Sequence, residues 1–415
     1  MPFDESLTMR ALTPGDLDQL IELIEIAFNS EPTVAAERSI EEELNELDRG
    51  RGVGIFDGDE LVGAGTVSSF ELTVPGGSLP MLGVLLIVVK STHRRRGVMS
   101  RMIRHQLHTQ HEQGTEPVAG LTASESVIYG RFGYGRACYH AAFEIPRHRA
   151  ALRPVAGVDE VRVRLVPTAD SVPACEAILN RQVGKRAGMM VRPERLGRLF
   201  ALDLDRHRAG RSALRTALAE RGGHAVGFAR YRTKEDWQNG VHKGQTSVQE
   251  IYADDAAGYA ALFRYLTDID LTTTTSFTRQ PVDWPLRYLL EDLRAAQMRV
   301  RESLYLRLVD VDRALAGRRY ATSVDLVLEL NDELCPWNAG RWRLSGDEKT
   351  AECTRTEAAA DLALDVRELA AVYLGGSTLA ELDQAGLIAE LRPGAVAEAS
   401  RAFATQLAPW LQFGI

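Results

Sequence analysis

The chain has 415 residues, 45% hydrophobic and 26% charged, with a formal net charge of -8. That length predicts two to three domains, each able to bury a core, and the acidic balance argues against bulk nucleic-acid binding while suiting a cationic small-molecule partner. No apolar run approaches the roughly 20 residues needed to cross a bilayer, and Met1-Pro2-Phe3-Asp4-Glu5 lacks the basic-then-apolar order of a signal peptide, so a cytoplasmic protein without membrane contact is expected.

In chain order, Thr13-Pro14-Gly15-Asp16 reads as a helix start, followed by Leu17, Leu20, Ile21, Ile24 and Phe28 on one face. Ser39-Ile40-Glu41-Glu42 has capping-box spacing and predicts a second helix with Glu42 as cap; Glu31 lies in the loop between the two. Val53–Phe56, Leu61–Val74 and Leu82–Val89 read as strands, separated by turn chemistry at Asp57-Gly58-Asp59 and Pro75-Gly76-Gly77. The third of these runs straight into His93-Arg94-Arg95-Arg96-Gly97-Val98 and then into an amphipathic segment that fades near Gly114. A helix start offers unpaired N–H groups and the positive end of its dipole, so three arginines beside it predict a pyrophosphate site. The competing reading is a solvated arginine face. Val118–Ala123 is the next predicted strand and delivers Ser124-Glu125-Ser126-Val127-Ile128-Tyr129-Gly130-Arg131-Phe132-Gly133-Tyr134-Gly135. On its own the Tyr129 phenol reads as a packed aromatic with a satisfied hydroxyl, and Phe132 and Tyr134 are assigned to packing. Cys138, Cys175, Cys335 and Cys353 are widely spaced, without a Cys-x-x-Cys pair or ligand-spaced histidines, which predicts buried free thiols and no metal.

Arg94-x-x-Gly97-x-Met99 resembles the acyl-CoA signature of the GNAT N-acetyltransferases, with Met99 standing where that family usually has Gly or Ala. With Ser124-Glu125, Ile128 to Gly135, and Leu72-Thr73-Val74-Pro75-Gly76, the chain resembles the Eis family of acetyltransferases along its whole length. The resemblance implies an α+β and α/β architecture: tandem GNAT folds, the first active and the second degenerate, then a sterol-carrier-like α+β domain. The ranges expected are 1–150, 151–309 and 310–415. It implies acetyl-CoA as co-substrate, held by Ile87, Val88, Val89, Arg94, Arg95, Arg96, Gly97, Val98, Met99, Ser100, Ser124 and Glu125. It sets Phe28, Glu31 and Leu86 against the substrate. Tyr129 becomes the general acid, and the terminal carboxylate of Ile415 the base or, with a weak carboxyl, an electrostatic anchor. The implied substrates are amines of aminoglycosides, at one or several positions, and the implied assembly is a homohexamer. A peptide or protein lysine acetyltransferase is the alternative, and a lipid-carrier or regulatory protein the second alternative.

In the middle segment, Val161–Val166 and then Thr168-Ala169-Asp170 repeat the opening strand-to-helix pattern. Val248–Tyr252 predicts a strand running into Asp254-Asp255 and a helix through Tyr259, Leu262, Phe263 and Leu266. Two carboxylates at that helix start cap it and repel a diphosphate, so this unit is expected to lack cofactor. The last segment predicts strands at Ser323–Leu330, Arg341–Leu344 and Thr350–Thr354 and helices at Val366–Leu374, Thr378–Gln384 and Val396–Leu407. Its apolar end, Pro409-Trp410-Leu411-Gln412-Phe413-Gly414-Ile415, is expected to be docked.

Overall fold

Strand β1 (Thr8–Ala11) leads through a 3₁₀ turn, capped by Thr13 and Asp16, into α1 (Leu17–Phe28), whose inward face carries Leu20, Ile21 and Leu23. The computed structural model describes residues 3–30 and 51–415, so the helix expected from Ser39 and the position of Glu31 lie outside the described residues. Strands β2 (Val53–Asp57), β3 (Glu60–Val74) and β4 (Gly77–Val89) form an antiparallel meander. Helix α2 (Val98–Gln113) buries Val98, Met102, Ile103, Gln106, Leu107 and Gln110, the three-to-four spacing of one helical face, and ends on left-handed Gly114. Strand β5 (Val118–Thr122) pairs parallel with β4 at only three positions, Met81 with Val118, Leu82 with Ala119 and Gly83 with Gly120. The register of β3 on β4 slips between Thr66 and Val67, leaving Leu85 as an extra residue in β4. A bulge bends the strand that carries it, so β4 turns away from β5 just where their pairing stops.

The first sheet closes with strands from distant parts of the chain. Its order is β1-β2-β3-β4-β5-β16-β6, where β6 is Gly135–Arg136 and β16 is Leu304–Leu308, arriving after the middle domain. In return β7 (Tyr139–Pro146) leaves the first sheet and pairs in the second, between β14 (Thr272–Pro281) and β15 (Arg299–Glu302). The two units therefore exchange one strand each. Each of the expected ranges 1–150 and 151–309 thus lends one strand to the sheet of the other. Alternating apolar residues in Tyr139–Pro146 identify a strand but not which edge it will complete.

The second sheet runs β15-β7-β14-β13-β10-β9-β8, with β8 at Arg162–Val166, β9 at Arg215–Arg221, β10 at His224–Lys234 and β13 at Gly244–Ala253, the short ribbon of β11 (Trp237–Gln238) and β12 (Val241–His242) lying between the last two in sequence. Helices α3 (Thr168–Asn180), α4 (Glu194–Ala201) and α5 (Ala256–Thr267) accompany it, matching the expected repeat of the first unit. The carboxylate of Asp255 accepts the Gly258 N–H at 2.9 Å and so caps α5, while Arg221 and Arg181 hold Asp255 and Asp254 at 2.6 and 2.8 Å.

The third segment forms a five-stranded sheet that includes the expected strands and two short ones the sequence left unread, Leu362–Asp365 and Ile388–Glu390. Its side chains share one core with the first sheet: Leu326, Leu344, Leu369 and Val372 lie with Leu72, Met81, Leu304, Leu306 and Leu308. The alternate residues Leu82, Val84, Ala119, Leu121 and Tyr305 face α2 instead. The first sheet is thus covered on one face by α2 and on the other by α1 and the C-terminal domain. Arg307 crosses this boundary to an ion pair in which its Nη2 donates to both carboxylate oxygens of Asp332, at 2.6 and 2.7 Å, both side chains fully buried. Asp332 also accepts the Cys335 N–H and the Asn338 amide. Asp332→Ala leaves the guanidinium buried without its counter-ion and is expected to lower stability by roughly 3–5 kcal/mol, read from the urea midpoint.

The apolar end docks as expected. Trp410 donates its backbone N–H to the Ala187 carbonyl at 2.8 Å and its indole N–H to the Arg279 carbonyl at 2.7 Å. Leu411 and Phe413 are buried, and the Gln412 side chain bonds both backbone groups of Met190. All four cysteines are buried and unpaired.

Candidate active site

The parting of β4 from β5 opens a cleft of about 440 Å³. Its floor is β4 from Val84 to Val89, one end is the start of α2, and the other is the segment after β5. At the first end Gly97, with φ +76°, is the N-cap of α2. A β-carbon in that left-handed conformation costs about 1–2 kcal/mol, which glycine avoids. Among the described residues no side chain caps the helix, and its first internal bond is from the Arg101 N–H to the Gly97 carbonyl. The N–H groups of Val98, Met99 and Ser100 precede that bond, at the positive end of the dipole, and all three residues line the cleft.

Arg94 and Arg95 line the same end, and among the described residues neither has a carboxylate partner. Arg95 itself is left-handed at φ +65°, so the turn changes direction between its arginines. Arg96 faces away from the cleft. It is held by Asp4 at 2.7 Å, with Asp57 3.7 Å away, and braces the N-terminal segment. Of the three arginines expected to meet the cofactor, Arg94 and Arg95 line the cleft, whereas Arg96 is engaged by Asp4 and is not among the lining residues. His93, which the sequence reading passed over, lines the cleft instead, with Nε2 3.1 Å from Asp57 and Nδ1 2.8 Å from the Thr92 hydroxyl. Asp57 lies 36 positions earlier, so no local spacing signals the pair.

Ile87, Val88 and Val89 line the floor together with Leu86, while Phe28 closes the side at the end of α1. Ser124, Glu125 and Tyr129 line the opposite end. Tyr129 opens a 3₁₀ turn, Tyr129–Phe132, and its ring lies edge-on to Tyr134 at 5.9 Å. Among the described residues no group hydrogen-bonds its hydroxyl. Burial and, secondly, the Glu125 carboxylate raise its pKa above the usual 10, so the phenol keeps its proton at ordinary pH. Phe132 and Tyr134 are buried packing residues, as read from the sequence. Thr122, also missed, lines the cleft at the end of β5 and donates its hydroxyl hydrogen bond to the Ile415 backbone oxygen. Ile415, half-buried and packed against the shared core, thus meets the cleft wall through Thr122 without lining the cleft itself. The other cleft residues the sequence did not single out are Ala27, Val84, Leu85, Ile128 and Arg131.

Three family profiles match the chain: an acetyltransferase (GNAT) domain over residues 8–137, a second acetyltransferase (GNAT) domain over 188–308 and a sterol carrier protein domain over 311–412. The N-acetyltransferase Eis of Mycobacterium tuberculosis is 34% identical over 79% of this chain and 80% of its own length. The chain belongs to the Eis family of N-acetyltransferases. The crystal structure of Eis1 from Mycobacterium abscessus is similar with a TM-score of 0.82, at 33% identity, covering 98% of this chain and all of that one. An uncharacterized N-acetyltransferase of Streptomyces avermitilis is 44% identical over 98% of this chain and 99% of its own. The architecture is therefore that of tandem GNAT units with a sterol-carrier-like domain, and the activity is N-acetyl transfer; GNAT acetyltransferases use acetyl-CoA. No helix among the described residues is long and apolar enough to cross a membrane.

Proposed function

We propose that this Eis-family chain transfers the acetyl group of acetyl-CoA directly to amines of aminoglycoside-like polyamines, at one or several positions, in the cleft of its first unit. The observation that carries this reading is the meeting, in one cleft, of a helix start and two arginines that have no cap and no carboxylate partner among the described residues, together with a protonated phenol. Acetyl-CoA would supply an activated acyl group and a thiol leaving group. The α2 N-terminus with Arg94 and Arg95 holds its diphosphate, and the edge of Ile87 to Val89 turned from β3, beyond the last β4–β5 rung, offers its N–H groups to the acyl oxygen. Ser124 and Glu125 flank the same path. Tyr129 donates its proton to the departing sulfur. The Ile415 carboxylate, held by Thr122, draws the substrate ammonium and accepts its proton, directly or through water, with Phe28 and Leu86 against the carbon frame. Glu31 belongs to the same expected substrate surface. The carboxylates of Asp254 and Asp255 occupy the start of α5, the equivalent place in the second unit, which supports a single cofactor site per chain.

Arg95→Ala is expected to raise the acetyl-CoA KM about tenfold to a hundredfold, the loss of one charge-assisted contact of roughly 1.5–3 kcal/mol, with kcat little changed. The acceptor class is tested by incubating the protein with acetyl-CoA and either several aminoglycosides or a lysine peptide and weighing the products. One or more acetyl groups on the aminoglycosides supports the proposal, whereas acetylation of the peptide alone moves the function to lysine acetylation. Against the lipid-carrier reading stands the shared core of the C-terminal domain, where the open pocket at Ser323–Val324 is walled by Asp325, Asp347, Glu352 and Glu398, a poor surface for an acyl chain. A homo-oligomer, hexameric by family resemblance, and a cytoplasmic location belong to the same reading; the first is read from the mass in solution.

A further inference from the structure

Three glycines punctuate the turn that carries Tyr129, and each lies against another part of the chain. A β-carbon at Gly130 would stand 2.9 Å from the guanidinium carbon of Arg367. At Gly135 it would stand 2.2 Å from the Arg367 carbonyl oxygen and 2.4 Å from the Ala371 nitrogen, and at Gly133 2.9 Å from the Arg307 guanidinium. Side chains do not approach that closely, so the absence of β-carbons is what lets these neighbours touch the turn. Arg367 and Ala371 belong to helix Val366–Val372 of the C-terminal domain, whose start is fixed by the Arg367 N–H donating to Asp365 at 3.0 Å. Arg307 is held by Asp332 of the same domain. From the same strand as Arg307, Tyr305 donates its hydroxyl to the Ser126 carbonyl at 3.4 Å and sets its ring 6.5 Å from that of Tyr129. The turn is supported at each glycine by the C-terminal domain or by an arginine that this domain holds, while Tyr129 reaches into the cleft.

We propose that the C-terminal domain is a positioning element for acetyl transfer: helix Val366–Val372, seated on Gly135, and Arg367, seated on Gly130, fix where the Tyr129 phenol stands. The inference rests on the reading of Tyr129 as general acid and gives the domain a task that needs no lipid. Proton donation requires hydrogen-bond reach, so a turn that drifts by about 1 Å loses turnover without losing the diphosphate site at the far end of the cleft.

The test is Arg367→Met, at a side chain about half exposed (47%), which spares the core. Its kcat, its acetyl-CoA KM and its Tm are measured alone and in a Tyr129→Phe background; Gly130→Ala, which pushes the guanidinium aside, is the second variant. The expected result is a kcat lowered about threefold to thirtyfold by either variant, with KM within about twofold and Tm unchanged, and no further loss of kcat once Tyr129 is Phe. An equal loss of kcat in both backgrounds, or a change in Tm alone, overturns the positioning role while leaving Tyr129 in place. A Tyr129→Phe protein with the turnover of the original removes the general-acid reading itself, and this inference with it.

Discussion

Tyr129→Phe is expected to lower kcat by roughly 10²–10⁴ fold while leaving acetyl-CoA affinity nearly unchanged. The variant removes one oxygen from a ring packed beside Tyr134 and Tyr305, so the turn keeps its shape and only the proton donor is lost. The diphosphate is met at the far end of the cleft by Arg94, Arg95 and the start of α2, which the substitution does not touch. Because burial and Glu125 raise the phenol's pKa above 10, the acid is present throughout ordinary pH, and the alkaline loss of kcat that reports its deprotonation is expected only above pH 10. A Phe variant with unchanged turnover would take Tyr129 out of the mechanism.

A fragment ending at residue 150 is expected neither to fold stably nor to transfer acetyl groups. It contains β5 and β6 but lacks β16, the strand that pairs Leu304 with Thr122, Leu306 with Gly120 and Leu308 with Val118. Those three leucines are fully buried, and losing each costs roughly 1.5–3 kcal/mol of burial, together comparable with the stability of a typical domain. The fragment also keeps β7 without its partners β14 and β15 and exposes the sheet face that the C-terminal domain covers. Near-ultraviolet circular dichroism and acetyl-CoA titration of the fragment and the full chain measure this. A fragment with native-like affinity would show that the exchanged strand is dispensable.

What the sequence revealed was chemistry held in short spans. The strand, arginine turn and helix start of Leu82–Leu107 are contiguous, so their joint geometry follows from local rules, and the same holds for Tyr129 beyond β5. The apolar end from Pro409 announced its docking by composition, and Asp254-Asp255 announced a capped helix. Pairings between distant segments stayed hidden. Nothing in Tyr139–Pro146 says that it completes the other unit's sheet, since alternation names a strand and not its neighbour. The Arg307–Asp332 pair and the Asp57–His93 contact join positions 25 and 36 residues apart, with no periodicity to mark them. The ion pair of Arg96 is hidden for a different reason: a run of three arginines looks like one feature, yet Arg95 is left-handed and Arg96 pairs with Asp4. The three glycines of the Tyr129 turn were legible as a motif, but their purpose depends on Arg367 and Ala371, more than 230 residues later.

The central claim, acetyl transfer from acetyl-CoA to an amine in the first unit's cleft, is tested most directly by the release of CoA thiol from the purified full chain supplied with acetyl-CoA, with and without an aminoglycoside. The expected result is rapid release only when the acceptor is present, falling by orders of magnitude in Tyr129→Phe. Failure to release thiol with aminoglycosides and with a lysine peptide alike would contradict the account and make a binding protein the better description.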